Sequence, residues 1–206
     1  MPGTIILAGG KGNRIGGRKP FMKLEGRSLI HYVLKVTRGV SDETVVVTSR
    51  DMVKRFEALL PEDVKVVSDI VPGRGPLVGV YSGLNHIRSE YAMVLPCDAP
   101  FINEHVLKHL IGEAEGVDAV VPLWPNGYIE PLHSVYRVSA AFKASKAAVR
   151  EISFKISNMI ERLERTLYVP VERLKRFDPD LLTFFNINST EDLKDAEAIL
   201  KRRRKN

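Results

Sequence analysis

Short apolar runs, rich in β-branched residues, alternate with longer amphipathic segments through much of this chain. The runs lie at residues 4–8, 44–48, 64–68, 92–96 and 119–122, and the segments at about 29–38, 51–60, 77–87 and 104–115. Nearly continuous apolar runs predict strands buried on both faces, and the amphipathic segments predict helices. This alternation predicts an α/β fold in which right-handed crossovers wrap a mostly parallel sheet into a three-layer α/β/α sandwich.

The rest of the chain continues this pattern less regularly. Strands are predicted at residues 130–137, 167–171 and 182–187, and helices at 139–150 and 152–164. The polar stretch 188–192 is typical of a helix N-terminus, and the last helix is expected to run through Lys201. No internal repeat or polar linker divides the sequence. We therefore expect a single domain over residues 1–206, with a basic tail at about 201–206.

The chain is basic, with a formal net charge of +6 at pH 7. That balance suits either an anionic small molecule or a nucleic acid. Part of the excess comes from Lys201-Arg202-Arg203-Arg204-Lys205, which is either a solvated helix end that complements the helix dipole or a nucleic-acid contact. Among nucleic-acid-binding motifs, the sequence has no obvious recognition helix, no zinc-finger spacing and no aromatic RNA platform. We therefore expect a small anionic ligand, and no nucleic acid.

The cysteine content and the hydropathy of the sequence indicate where in the cell the protein is expected. Cys97 is the single cysteine, so no disulfide forms within the chain, and no run reaches the roughly 20 apolar residues that span a bilayer. Proteins of the reducing cytoplasm typically lack disulfides. We expect a cytoplasmic protein without a membrane partner.

The loop after the first predicted strand is rich in glycine and cations. Ile5-Ile6-Leu7-Ala8 leads into Gly9-Gly10-Lys11-Gly12-Asn13-Arg14-Ile15-Gly16-Gly17-Arg18-Lys19. Glycine lets backbone N–H groups approach a bound anion, and Arg14 and Lys19 add positive charge there. Lys11 and Arg18 are either further ligands or solvated cations. The loop is neither a Walker A motif nor a Gly-x-Gly-x-x-Gly turn that leads directly into a helix. It predicts a triphosphate site.

Asp98 follows the fourth predicted strand, between Pro96 and Pro100. In open parallel sheets, ligands bind beyond the carboxyl ends of the strands. A carboxylate there suits Mg²⁺, which takes one or two carboxylates together with phosphate oxygens and water. The alternative role is a cap for the helix that begins near Asn103. The glycine-rich loop at the same sheet edge favours the metal role.

Further polar residues follow other predicted strands. Asp69 is either an ordinary loop residue or an acceptor for a nucleobase or ribose. Gly79 and Gly83 allow either close approach of a ligand or tight packing of a helix on the sheet. Asn186 and Asn188 alternate along the last predicted strand, which places both on one face, where they are expected to hold phosphate, metal-bound water or substrate. Asn188 fits the cap of the last helix equally well.

Other chemically capable residues favour structural roles. His105 and His109 have the spacing of zinc ligands on a helix, without a neighbouring glutamate or an obvious third ligand. Trp124 and Tyr128 flank the hairpin-like turn Asn126-Gly127, where they either offer a face to a planar heterocycle or close an edge of the core. Two further residues are expected to be packed, namely His133, in the core or beside a substrate, and Cys97.

Together these motifs resemble the molybdenum cofactor guanylyltransferase family, a branch of the nucleotidyltransferases built on a Rossmann-like sheet. They occur in the family's order over almost the whole chain. The matching segments are Leu7-Ala8-Gly9-Gly10 with Arg14, Gly16-Gly17 and Lys19; Gly75-Pro76-Leu77-Val78-Gly79; Pro96-Cys97-Asp98-Ala99-Pro100-Phe101-Ile102; Glu130-Pro131-Leu132 with Val135-Tyr136-Arg137; and Phe185-Asn186-Ile187-Asn188-Ser189-Thr190-Glu191-Asp192-Leu193.

The resemblance implies transfer of GMP from GTP to molybdenum-bound molybdopterin, which gives the guanine dinucleotide cofactor and pyrophosphate. It implies Mg²⁺ on Asp98, catalytic roles for Arg14, Lys19, Asp98, Asn186 and Asn188, and molybdoenzyme-maturation proteins as further partners. The implied nucleotide-binding residues are Leu7, Ala8, Gly9, Gly10, Lys19, Thr48, Asp69, Gly75 and Asp98.

One departure from the family lies in the loop, where Gly16-Gly17-Arg18-Lys19 is one residue shorter than in relatives and lacks their aspartate. Residues 9–33 also resemble the archaeal GTP:adenosylcobinamide-phosphate guanylyltransferases. That activity, another NTP transferase, and a GTP-binding interaction module that docks through the basic tail therefore stay open. The segments 75–79 and 96–98 favour the molybdenum enzyme.

Overall fold

A computed structural model of the chain describes residues 1–9, 21–71 and 75–204. Its main strands are β1 (Gly3–Leu7), β4 (Glu43–Thr48), β5 (Val64–Ser68), β6 (Tyr91–Pro96), β7 (Ala119–Leu123), β8 (Ser134–Arg137) and β9 (Thr166–Pro170). They form one seven-stranded sheet in the order β5-β4-β1-β6-β8-β7-β9. The pairs β1–β4, β1–β6, β4–β5 and β7–β9 are parallel, whereas β8 is antiparallel to β6 and β7. The expected mostly parallel sheet is confirmed.

The helices are α1 (Leu29–Thr37), α2 (Val53–Glu57), α3 (Pro76–Leu84), α4 (Glu104–Gly112), α5 (Val138–Arg150), α6 (Ile156–Ile160) and α7 (Thr190–Arg203). Because side chains alternate along a strand, Ile6 packs in one cluster with α1, α2 and α4, and Ile5 packs in another with α3, α5 and α6. The three-layer sandwich is therefore confirmed. None of the described helices combines the length and apolarity needed to cross a bilayer.

A third apolar cluster joins the end of the chain to the rest of the fold. It contains Leu24, Leu29, Phe101, Ile187 and Ala196. Leu24 belongs to a short hairpin, β2 (Lys23–Leu24) and β3 (Arg27–Ser28), which the sequence did not predict. The cluster holds the segment before α7 against the loop after β6.

Three predicted elements are wrong in part. The segment 152–164 is helical only in α6, because Ile152 takes a left-handed conformation (φ 59°) and ends α5 with a Ser153 N–H to Ala148 O hydrogen bond of 2.9 Å. The predicted strand 130–137 is shortened to β8, because the His133 N–H donates to Glu130 O and closes a turn.

The predicted strand 182–187 is a single 3-10 turn, Leu182–Phe184, followed by extended chain. Its apolar residues divide between two clusters, with Phe184 in one and Ile187 in the other, so no single face exists for a sheet to cover. The basic tail is a helix end, since Lys201, Arg202 and Arg203 form the last turn of α7 and Arg204 pairs with Glu25.

A substitution at Gly83 tests how closely α3 packs on the sheet. A Cβ at this position would lie 2.5 Å from Cγ2 of the fully buried Ile5, whereas a Cβ on Gly112, at the end of α4, meets nothing within 4 Å. Gly83→Ala is expected to lower the free energy of unfolding by about 1–2 kcal/mol, after the gain in helix propensity is subtracted. Gly112→Ala, the matched control, gains only that propensity, up to about 1 kcal/mol. Urea unfolding measures both, and equal stability of the two variants would contradict the packing.

Candidate functional site

The carboxyl ends of β1, β4, β5 and β6 meet at one edge of the sheet. Backbone hydrogen bonds continue beyond the strands, with 2.8 Å from Ala8 N to Val47 O, 2.9 Å from Asp69 N to Thr48 O and 3.2 Å from Cys97 N to Leu7 O. The residues that follow these strands are therefore held in register. The structure brings Leu7, Ala8, Gly9, Thr48, Asp69 and Asp98 to this edge, as the sequence predicts.

Asp69 lies between two glycines that allow close approach. A Cβ on Gly9 would be 3.3 Å from its Oδ2, and a Cβ on Gly79 would be 3.4 Å from its Oδ1. Oδ1 is buried and has no hydrogen-bond partner among the described residues. Burial raises the pKa of the Asp69 carboxyl from its ordinary value of 3.8 to about 6. A buried acceptor without a partner is costly to stability, which indicates a residue kept for a ligand.

Neighbouring polar residues hold the loops around Asp69. The Thr48 side chain is fully buried, and its hydroxyl donates to Ala8 O at 3.2 Å, so Thr48 positions the start of the glycine-rich loop. Ser82, on the buried face of α3, accepts a 2.9 Å hydrogen bond from Ile70 N. Sequence reasoning missed Ser82, although a serine among the apolar residues of a helix is a usable signal.

The glycines of α3 divide between the two roles left open above. Gly83 packs on Ile5, and Gly79 faces both Leu7 and the Asp69 carboxylate. Gly75 begins the helix with φ +100°, a value that favours glycine, and a Cβ there would meet Phe154 O at 3.2 Å. Gly79 thus lets α3 approach Leu7 and Asp69 closely, and Gly75 lets the helix begin beside Phe154.

Asp98 is half-buried just beyond β6, and its carbonyl accepts a 2.9 Å hydrogen bond from Ile187 N. The alternative role as a helix cap is wrong, because Asn103 is the N-cap of α4. The Asn103 Oδ1 accepts from the His105 and Val106 N–H groups at 2.8 and 3.4 Å. Asn103, and not Asp98, therefore caps α4.

Asn186 and Asn188 flank the Ile187 that binds Asp98. Asn186 is half-buried, and its Oδ1 is buried without a hydrogen-bond partner in the described ranges. Asn188 is exposed, with its Nδ2 3.3 Å from Asn186 O. The strand predicted to place both on one face does not form, and their position on a common face stays a prediction. The capping role of Asn188 is wrong: Ser189 is the N-cap, in a capping box with Asp192.

The donors at this edge suit a divalent cation shared with a ligand. Among the described residues, no group of three or more histidine, cysteine or acidic side chains is placed to hold a metal by itself. Asp98 is one carboxylate near the unpartnered amide oxygen of Asn186. Mg²⁺ is usually held in this way, by one or two carboxylates, phosphate oxygens and water.

Several of the other candidates from the sequence are packed. The Arg176 Nη2 lies 3.2 Å from His109 Nδ1, and the His109 ring lies 5.4 Å from that of Phe177. His133 and Cys97 are buried, as predicted. Trp124 is half-buried, and Tyr128 is 60% exposed. Five residues of the predicted phosphate loop, Gly10, Lys11, Arg14, Arg18 and Lys19, lie outside the described residues, and their roles stay predictions.

Comparisons with known proteins extend over almost the whole chain. A family model for the MobA-like NTP transferase domain matches residues 4–166. The "probable molybdenum cofactor guanylyltransferase" of Methanocaldococcus jannaschii is 34% identical and covers 94% of this chain and 97% of its own length. The "molybdenum cofactor guanylyltransferase" of Desulfosudis oleivorans is 35% identical, with 96% and 95% covered.

A solved structure agrees with these relatives. "Molybdopterin-guanine dinucleotide biosynthesis protein A" of Archaeoglobus fulgidus superposes with a TM-score of 0.82 at 35% identity, over 97% of this chain and 99% of that one. The matched region includes the sheet edge described above. The chain belongs to the MobA-like NTP transferase family, and it is a nucleotidyltransferase.

Proposed function

We propose that this chain is a molybdenum cofactor guanylyltransferase, which transfers GMP from GTP to molybdenum-bound molybdopterin and releases pyrophosphate. The observation that carries this proposal is the docking of the segment before α7 onto Asp98 through the Ile187 N–H. It brings the motif around Asn186 to the same edge as the start of the glycine-rich loop. Relatives named for this activity match 94% and 96% of the chain.

The nucleotide lies across the carboxyl ends of β1, β4, β5 and β6 in this proposal. The main chain of residues 7–9 and the glycine-rich loop surround the phosphates, with Gly10, Arg14 and Lys19 in the roles the sequence predicts. Asp69 accepts hydrogen bonds from the base or ribose, because its Oδ1 is buried and has no partner within residues 1–9, 21–71 and 75–204. Gly75 borders the site, and Thr48 acts through Ala8.

The reaction is an in-line displacement at the α-phosphorus of GTP. A terminal phosphate oxygen of the acceptor forms the new bond to that phosphorus, while the bond to the β-phosphate bridging oxygen breaks and pyrophosphate leaves with its electron pair. The nucleophile is already anionic, so no general base is needed. The protein contributes orientation and charge stabilisation: Arg14 and Lys19 stabilise the leaving pyrophosphate, and Asn186 and Asn188 donate to the reacting phosphates.

Asp98 is the residue proposed to hold Mg²⁺, which when bound neutralises phosphate charge. The half-buried position of Asp98 fits this role, since phosphate oxygens and water reach it from the open edge of the sheet. The Ile187 N–H binds the main-chain carbonyl of Asp98, which fixes the backbone from which the carboxylate extends.

The raised pKa of Asp69 predicts a pH dependence of GTP binding. Ionised Asp69 accepts hydrogen bonds with both oxygens, and protonation removes part of that capacity. Affinity for GTP is therefore expected to increase as the pH rises through about 6, the pKa of Asp69. Titration calorimetry with the wild type and Asp69→Asn from pH 5 to 8 tests this. The protonation of GTP affects both affinities equally and therefore cancels in their ratio. A ratio of wild-type to variant affinity that stays constant with pH would refute the proposal.

The stability of the ligand-free chain has the opposite slope. Because the folded pKa of Asp69 lies above the unfolded one, its contribution is fully present below about pH 4 and is lost as the pH rises through about 6. Asp69→Asn removes this contribution. The free energy of unfolding of the variant is therefore expected to change less between pH 4 and 6 than that of the wild type.

The activity is tested by offering each of the four NTPs with Mg²⁺ and a panel of acceptors, and measuring pyrophosphate. GTP turnover only with molybdopterin supports the proposal. Turnover with cobinamide phosphate would select the rival transferase instead. GTP binding without turnover, together with loss of function on removal of residues 201–205, would select the interaction module. Maturation proteins as partners and a cytoplasmic location stay predictions from the sequence.

A further inference from the structure

A groove of about 390 Å³ lies at the carboxyl edge of the sheet. Its lining includes Phe185, which directly precedes Asn186 of the candidate site in the sequence. Its walls include Trp124, Leu181, Phe184 and Phe185, and Lys175 and Asp180 add charge. The nucleotide, as placed above, makes no use of these residues. The groove is therefore available to a second ligand.

Phe185, in the groove wall, connects the groove to the proposed reacting edge. Phe185 directly precedes Asn186, and its ring lies 5.7 Å from that of Phe101, in the loop that begins at Asp98. Trp124 follows β7, which runs parallel to β6, so it lies at the same sheet edge as Asp98. A ligand in this groove has one end near the residues proposed to act on phosphate.

The Trp124 side chain, which forms one wall of the groove, is held by contacts with Glu130 and Phe184. Its Nε1 donates to Glu130 Oε1 at 2.8 Å, and Glu130 Oε2 lies 3.8 Å from Nδ1 of the buried His133. The Phe184 ring is edge-on to Trp124 at 5.7 Å and to His133 at 5.2 Å. Such an arrangement fixes an aromatic ring before any ligand arrives, which lowers the entropic cost of binding.

The opposite wall carries backbone strain. Leu181 has φ 52°, in the left-handed region that non-glycine residues seldom occupy. The loop is held by the buried Asp178 carboxylate, which accepts from Thr183 N at 2.6 Å, and by Asn103 Nδ2, which donates to Phe177 O at 2.9 Å. Strain retained by surrounding hydrogen bonds is characteristic of ligand sites.

We propose that this groove binds the planar heterocycle of the acceptor, a 2-amino-4-oxo-pyrimidine ring system, with Trp124 as the specificity-determining wall. This inference rests on the proposed function and locates its second substrate. The groove has the volume of a small-molecule site. The aromatic walls pack on the ring, Asp180 accepts from its amino and ring N–H donors, and the phosphate of the acceptor points toward Asp98.

The test uses neopterin monophosphate, a stable pterin that carries a phosphate ester, in equilibrium dialysis against the whole chain. Trp124→Ala is expected to weaken its binding about 10- to 100-fold, while binding of GTP is unchanged. Tyr128→Ala is the matched control, because this exposed aromatic flanks the same turn outside the groove, and it should bind both ligands as the wild type does. Ribose 5-phosphate, which lacks the heterocycle, should not compete.

A second variant keeps the test decisive if Trp124→Ala does not fold. Asp180 is exposed, and Asp180→Asn is expected to weaken pterin binding about tenfold without changing GTP binding. If Asp180→Asn and folded Trp124→Ala bind the pterin as tightly as the wild type does, the proposal that this groove binds the heterocycle is overturned. GMP transfer to molybdopterin with an unchanged KM in these variants would also overturn it and leave the proposed function intact. Failure of the wild type to transfer GMP would refute the function itself.

Discussion

Asp98→Ala is expected to slow GMP transfer by about a hundred- to a thousandfold and to leave the protein folded. The carboxylate is the proposed ligand of Mg²⁺, so its loss removes charge stabilisation that matters most as the phosphate bonds change. The concentration of Mg²⁺ that gives half the maximal rate is also expected to rise. Pyrophosphate release under saturating GTP measures both effects.

Two contacts that hold the chain around residue 98 do not involve its carboxylate. Ile187 N–H binds the main-chain carbonyl of residue 98, and Asn103 caps α4, so both interactions persist in the variant. The unfolding midpoint should therefore remain close to that of the wild type. Asp195→Ala, an exposed aspartate on α7, is the matched control and should retain full activity. A near-normal rate for folded Asp98→Ala would refute the metal role.

Asn186→Ala is expected to lower kcat by about 10- to 100-fold, with a smaller effect on KM for GTP. The Asn186 side chain is half-buried beside Asp98, and its Oδ1 has no hydrogen-bond partner among the described residues. The Oδ1 is therefore available to a donor or to the proposed Mg²⁺, and the Nδ2 is the atom proposed to donate to the reacting phosphates. Asn186→Asp should be more harmful, because a second negative charge beside Asp98 repels phosphate. Asn188→Ala should have a smaller effect, since that side chain is exposed.

Stability separates this catalytic role from a structural one. Removing a buried polar atom without a partner does not cost a hydrogen bond, so Asn186→Ala should be at least as stable as the wild type in urea unfolding. Asn85→Ala, an exposed asparagine at the far end of α3, controls for the substitution itself. Marked loss of stability together with unchanged kcat would show that Asn186 serves the fold only.

The fold and most of the site follow from local patterns in the sequence. Runs such as Val45–Val47 are apolar on both faces, so they specify buried parallel strands, and parallel strands bring their carboxyl ends to one edge. Asp69 and Asp98 could therefore be placed together from their positions after strands. The capped start of α7 was predicted to within one residue, because the capping box is a local interaction between Ser189 and Asp192.

What the sequence could not predict depends on contacts between distant residues. The segment 182–187 is mostly apolar, which favours a strand. The Asp178 carboxylate binds Thr183 N instead, and the rings of Phe184 and Phe185 enter separate clusters. The pairing of Ile187 with Asp98 joins residues far apart in the chain, and so does the isolation of the Asn186 and Asp69 oxygens. The order of residue types along the chain does not show which buried acceptors lack a hydrogen-bond partner, because that depends on the folded structure.

A crystal of the protein grown with GTP and Mn²⁺, a divalent ion located by its anomalous scattering, tests the central claim most directly. We predict an anomalous peak in contact with the Asp98 carboxylate and phosphate oxygens, with the triphosphate enclosed by residues 7–19 and Asp69 bound to the nucleoside. A nucleotide bound elsewhere, or a manganese peak remote from Asp98, would contradict the proposed site.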